Sequence, residues 1–219
     1  MDEALQQVTR GGDVKQAAEQ IVRATEDPFA FWNKWFDCAV EHGDAQDRLI
    51  ALVRSLQEHD IGTLDEKKLW KDLPRLGWSL RESFECMCLA NAVYDNVSKP
   101  DEYVNICKMY ALCAHEQIAD TLPYAVIVFR TVLEKEQVPD GLDVRLRALI
   151  KWVQIAGKEI YNGGEAKLES SPLCRGGDLW KGTAGLSKAR WNFWKERAQS
   201  LSSDLCEPLI HAMTDAESA

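Results

Sequence analysis

The sequence predicts an all-α protein: a single globular bundle of about eight helices, with a long glycine-rich loop before the last long helix. Three observations predict it. Apolar residues recur at steps of three and four through most of the chain, as a buried helix face requires. Caps and prolines stand where helices should start and stop. No segment alternates apolar and polar residues as a half-buried strand would, and no fixed-period repeat is visible. The expected organisation is a polar N-terminal tail over 1–12, one helical domain over 13–205 with its glycine-rich loop at 162–186, and a partly helical C-terminal tail over 206–219.

Phe29, Trp32, Trp35, Phe36, Ala39 and Val40 form the first apolar stripe, with Asp27 as N-cap and Pro28 at the first helical position. His42 and Gly43 separate it from a second stripe of Leu49, Leu52, Val53 and Leu56, on a helix from about Ala45 to Glu58. Thr63 with Glu66 has the spacing of a capping box, which predicts a short helix through Trp70 that ends before Pro74. Ser79 with Glu82 repeats that spacing and predicts a helix to about Val97. Pro100 opens a long helix to about Ala119. Pro123 opens the next, to about Gln137, which is apolar on nearly all sides and is expected to be the central one. Asp140 and Gly141 break it. Asp143 then opens a helix through Tyr161 that stops at Asn162, Gly163 and Gly164.

Six of the 13 glycines lie between 162 and 186. A loop of this length is uncommon inside a compact domain and is usually functional or mobile. It is expected to cross one end of the bundle as a strap pinned by Trp180. Ser187 caps the last long helix, to about Ser202, and a short helix follows Pro208.

The net charge of −9 disfavours binding to phosphate backbones, so no nucleic-acid partner is expected. The basic residues Lys181, Lys188, Arg190, Lys195 and Arg197 read as a solvated helix face or a local basic patch. Residues 1–27 contain no apolar run of the kind a secretory signal needs. The most apolar stretch, Tyr124 to Leu133, is interrupted by Arg130 and is too short to cross a bilayer, so no membrane partner is expected. The seven cysteines are odd in number and mostly sit among apolar residues, which suits reduced thiols in a cytoplasmic or nuclear protein that is not secreted.

Familiar catalytic motifs fail on inspection. Gly177 and Gly182 have the spacing of a phosphate-binding loop, but Lys181 precedes the second glycine instead of following it. His115 and Glu116 begin like a zinc-protease helix, but residue 119 is Ala and supplies no second ligand. Cys86 and Cys88 are two apart and point in different directions on a helix. No metal and no cofactor are expected. No cysteine or histidine spacing selects a nucleophile with its base.

Some residues fit a purely structural role poorly. Arg130 interrupts an apolar helix, where an unpaired guanidinium costs several kcal/mol. It reads either as half of an ion pair, with Glu134 or a carboxylate of the preceding helix, or as a cationic hand that holds a ligand. Asn91 lies among apolar residues and must place its amide on partners, either backbone groups or a pocket shared with Tyr94 and Asp95. Glu116 and Asp120 are four apart, which on a helix sets two carboxylates on one face, either as an acid/base pair or cation clamp, or facing water or a neighbouring Arg. Phe193 falls off the Trp191–Trp194 stripe, between Arg190 and Arg197, and reads as a partner contact or as packing beneath the glycine-rich loop.

Three stretches carry a resemblance. Leu69-Trp70-Lys71-Asp72-Leu73-Pro74 runs on to Arg81-Glu82, and Ala90-Asn91-Ala92 follows. Near the C-terminus come Leu179-Trp180-Lys181-Gly182, Gly185-Leu186-Ser187 and Arg190-Trp191-Asn192-Phe193-Trp194-Lys195. In this order they resemble a family of uncharacterised fungal helical proteins, a domain of unknown function, over roughly residues 30–200. The Arg-Trp-x-Phe-Trp-Lys element is the specific part. The chain departs from the pattern at Cys86-Met87-Cys88. The resemblance implies a fungal source, an all-helical fold and, through members encoded near secondary-metabolite gene clusters, a small organic ligand. It names no catalytic residue.

Two functions remain open. One is a metal- and nucleotide-independent small-molecule-binding protein or enzyme with an apolar, aromatic-lined pocket, in which Arg130, Asn91 and Tyr94 bind and Glu116 or Asp120 moves a proton. The other is a non-enzymatic interaction module or homodimer that works through the basic last helix and the glycine-rich loop, with Arg190, Phe193 and Arg197 on its surface.

Overall fold

A computed structural model describes residues 1–25, 27–64, 66–89, 99–163, 168 and 171–218. Ten α-helices and one two-stranded hairpin are present among them, so the protein is all-α with slightly more helices than expected. The sequence reads as one domain over 13–205. The structure groups its residues into two compact units, Met1–Met87 and Cys88–Ala219.

The first unit holds α1 (Asp2–Thr9), α2 (Val14–Ala24), α3 (Pro28–Glu41), α4 (Gln46–Gln57), the strands β1 (Thr63–Leu64) and β2 (Lys67–Lys68), and α5 (Leu76–Ser83), which runs into a π-helical turn at Phe84–Leu89. Asp27 caps α3 by accepting from the Phe29 N–H, with Pro28 in its first turn. Phe31, Trp32, Trp35 and Phe36 are buried on that helix. The indole N–H of Trp35 donates to Leu49 O and that of Trp32 to Pro74 O, each at 3.1 Å. These two buried indoles thus keep a partner for their one donor.

Residues 1–12 are not a tail. Asp2–Thr9 form α1, whose Ala4, Leu5 and Val8 are buried. Arg48 pins the segment by donating to Val8 O and Gly12 O. Three apolar residues on an eight-residue helix carry little signal, and such a helix stands only on its tertiary contacts. Thr63 and Glu66 do not cap a helix either. Thr63 pairs with Lys68 and Leu64 with Lys67, and Glu66 turns the hairpin at φ +64°. A residue in the left-handed region cannot be the third residue of a helix, so the capping-box spacing is coincidental. Ser79 lies inside α5, not at its start; the helix begins at Leu76, behind a left-handed Arg75 at φ +69°.

The second unit holds α6 (Pro100–His115), α7 (Leu122–Leu133), α8 (Leu142–Asn162), a 3₁₀ turn at Pro172–Cys174, α9 (Lys188–Gln199) and α10 (Cys206–Ser218). Its hub is α8, not the Pro123 helix. The 21-residue α8 buries a stripe of Leu146, Leu149, Trp152, Val153, Ala156 and Ile160, and α6, α7, α9 and α10 all pack on it. Seven of the twelve residues of α7 are buried and none is exposed, in keeping with its composition, but it is short. α8 departs from helical geometry at Ala156 (φ −121°, ψ 22°). Beside that kink Gly157 lets α10 approach closely, for a Cβ there would stand 2.8 Å from the Ala216 methyl.

α6 stops at His115, four residues short of expectation. Gln117 is left-handed at φ +53°, its N–H donates to Ala114 O, and the Ile118 N–H donates to Cys113 O. This is a Schellman stop, usually signalled by glycine. Ser187 caps α9 as expected, accepting from the Arg190 N–H at 3.1 Å. The helix expected after Pro208 is present, but it starts at Cys206 and runs 13 residues, so it is as long as α9. In this helix, α10, Leu209 and Met213 are buried, and Glu217 accepts from the Trp191 indole and the Lys195 ammonium at 2.9 Å each. Among the described residues no helix is long and apolar enough to cross a membrane.

Candidate functional site

A groove of about 580 Å³ runs along the second unit between the kinked middle of α8 and α10, with the end of α6 at its rim. The Schellman stop leaves His115 in the last turn of α6, where its Nδ1 lies 2.9 Å from Glu159 Oε1 on α8. On α10, His211 Nδ1 lies 2.9 Å from Asp215 Oδ2, one helical turn along. All four side chains line the groove, together with Lys158 and the apolar Val153 and Ala212. A carboxylate that accepts from Nδ1–H fixes the tautomer of its histidine and leaves Nε2 with the lone pair. Two histidines so held give the groove two imidazoles that can exchange a proton with a bound group.

The two oxygens of Glu159 differ. Oε1 meets His115, whereas Oε2 is shut off from solvent and has no hydrogen-bond partner among the described residues. A buried oxygen left in that state costs about 1–3 kcal/mol. A rotation of the carboxylate that brought this oxygen to the groove would let a donor there remove that cost.

The residues singled out from the sequence gather elsewhere or lie outside the described part. Asn91 and Tyr94 fall in 90–98, outside the described residues. Glu116 caps the end of α6 and Gln117 turns the chain, so Glu116 and Asp120 do not share a helical face as their spacing suggests. Arg130 is half-buried on α7, and its Nη1 donates to Leu173 O and Arg175 O, both at 3.0 Å. Burial pushes its guanidinium below the usual range, against the pull of Glu134. The geometry matches a clasp on the glycine-rich segment: the guanidinium holds carbonyls of that segment at Nη1.

Beneath that segment lies a knot that sequence reasoning missed. Glu134, just past α7, and Arg190, in the first turn of α9, are both completely buried. Arg190 Nε and Nη2 donate to the two Glu134 oxygens at 2.6 and 3.0 Å. The Trp194 indole donates to Oε1 at 2.6 Å and the Gly177 N–H to Oε2 at 2.7 Å. Arg190 Nη1 reaches Cys174 O and Gly185 O, and Nη2 also reaches Arg175 O. A buried ion pair persists when its remaining donors and acceptors are met, and here they are met by the segment itself. Arg190 therefore does not lie on an exposed face. Phe193 packs on Trp180 at 5.4 Å, and Arg197 donates to Ser200 Oγ and Lys135 O. The strap is held by Glu134 and Arg190 as much as by Trp180, whose indole donates to Thr183 O within it.

Two of the residues that make the groove carried a signal in the sequence. His211 and Asp215 stand four apart on a helix, the spacing at which side chains meet. His115 and Glu159 are 44 residues apart and no spacing rule connects them.

No curated protein and no solved structure matches the chain. A family described as a protein of unknown function, DUF3632, matches residues 32–198, which include both the Trp70 to Pro74 stretch and α9. The chain belongs to that family.

Proposed function

We propose that this protein binds a small organic molecule in the groove between α8 and α10 and moves a proton on it, without metal or nucleotide. The observation that carries the reading is Glu159: one oxygen orients His115 and the other is buried without a donor, on the wall of a groove of about 580 Å³. A ligand hydroxyl or ammonium group supplies the missing donor. His115 Nε2 is then the proton acceptor, His211 a second acid or base on α10, and the apolar wall receives the carbon skeleton. The groove is lined by aliphatic, charged and histidine side chains, not by the aromatic residues expected. The family resemblance to fungal proteins encoded near secondary-metabolite clusters favours the same class of ligand.

The reading of an interaction module or homodimer has less support, because Arg190 is enclosed in the Glu134 knot and Phe193 packs against Trp180.

Proton-detected NMR of the four histidines, with a panel of hydroxy acids, phenols and amines, tests the proposal. The reading expects at least one compound to shift His115 and His211 together while His42 and His59 stay put. A panel that moves all four alike, or none, contradicts it.

A further inference from the structure

The first unit carries a second, chemically different recess. A cleft of about 490 Å³ is lined by Asp27, Phe29, Leu64, Arg75, Trp78 and Glu82, with Pro28 at its edge. Trp78 is 52% exposed, whereas Trp32, Trp35, Trp70, Trp152, Trp191 and Trp194 are each 1% exposed or less. Core packing therefore does not account for Trp78. Its ring stands 5.9 Å from that of Phe29 at 57°, so the two form a pair of tilted walls.

The chain already places a cation on this surface. The Arg75 guanidinium lies over the Trp78 ring, 5.4 Å from its centroid. It is set there at a cost, since Arg75 (φ +69°) and Leu73 (φ +48°) both occupy the left-handed region that side chains disfavour. The turn between them is anchored from the core by the Trp32 indole, which donates to Pro74 O at 3.1 Å. Among the described residues, two carboxylates, Asp27 and Glu82, line the cleft with one cation, Arg75, so that lining is net negative. Tilted aromatic faces rimmed by carboxylates recognise positive charge on a soft, weakly hydrated group.

We propose that the cleft binds a small organic ammonium, seated on Trp78 and Phe29 and neutralised by Glu82 and Asp27, with Arg75 as the resident cation that the ligand displaces. The site is separate from the groove of the second unit and does not depend on the reading of that groove. Arg75 sets the threshold: its guanidinium covers the indole face until a ligand outcompetes it. An aromatic acid bound to Arg75 would use the same walls with the opposite polarity, and the test separates the two.

The test is a titration of the intact chain with choline, its neutral tert-butyl isostere and benzoate, followed by the indole N–H resonances and by intrinsic fluorescence. Choline is expected to move the Trp78 resonance, and the neutral isostere to leave it in place. Trp78→Ala is expected to weaken choline binding about tenfold, the size of a cation–aromatic contact, and Glu82→Gln to weaken it by less. Arg75→Gln is expected to tighten it about threefold, because the competitor is gone. Glu82 and Arg75 lie at the surface or partly buried, so their variants report even if Trp78→Ala fails to fold. The proposal is overturned if choline leaves Trp78 unmoved, if the isostere binds as well as choline, or if benzoate binds and Arg75→Gln abolishes it.

Discussion

Two regions of the second unit pair a carboxylate with a basic side chain, and they differ in how completely the pair is enclosed. Glu134 receives four donors, from Arg190 twice, from Trp194 and from the Gly177 backbone, and neither ion is accessible to solvent. Glu159 receives one side-chain donor among the described residues, His115, with the partners 30% and 49% exposed at the wall of a groove. A charge whose every oxygen and N–H is matched inside the chain has nothing left for a ligand, and it works as architecture. A carboxylate that orients a histidine with one oxygen and lacks a donor at the other has capacity to spare. Strong burial alone would have selected Glu134 as the functional residue. The distribution of donors selects Glu159.

Substitutions sharpen the contrast in order of size. Glu134→Gln leaves Arg190 charged and buried without its counterion, and is expected to lower stability by about 3–5 kcal/mol in urea unfolding. A loss below about 1 kcal/mol would show that Arg190 finds another partner and that the knot is dispensable. Arg130→Met removes two hydrogen bonds to the carbonyls of Leu173 and Arg175 but leaves the knot in place. It is expected to cost about 1–2 kcal/mol and to increase hydrogen exchange of the 171–186 backbone amides selectively. If instead Arg130→Met is neutral and abolishes ligand binding, Arg130 belongs to the site and the comparison fails.

Much of the helical framework was legible in the sequence because its signals are local. Pro28, Pro100, Pro123 and Ser187 open helices where their chemistry says they should. What escaped was governed by tertiary context. Gln117 ends α6 in a conformation that glycine would have announced, so Glu116 and Asp120 read as a helical pair that does not form. Thr63 and Glu66 have capping-box spacing, but the chain folds back there as a hairpin. Arg130 was recognised as anomalous, yet its partners are backbone carbonyls more than 40 residues away, which no side-chain pattern reveals. The Glu134–Arg190 pair spans 56 residues. His115 was noticed for a zinc motif that it fails, and its partner Glu159 became visible only once α6 and α8 were laid side by side.

The most direct test compares His115→Gln with Glu134→Gln in thermal melts, each with and without the hydroxy acid, phenol and amine panel. His115 is half exposed and its contact with Glu159 is single, so His115→Gln is expected to cost no more than about 1 kcal/mol. The account predicts that a compound raising the wild-type melting temperature has no effect on His115→Gln, which melts near wild type. It predicts that Glu134→Gln melts far lower yet is still raised by the same compound. A compound that stabilises wild type and His115→Gln equally, or that is lost only in Glu134→Gln, would contradict the assignment of the groove as the working site and the knot as its support.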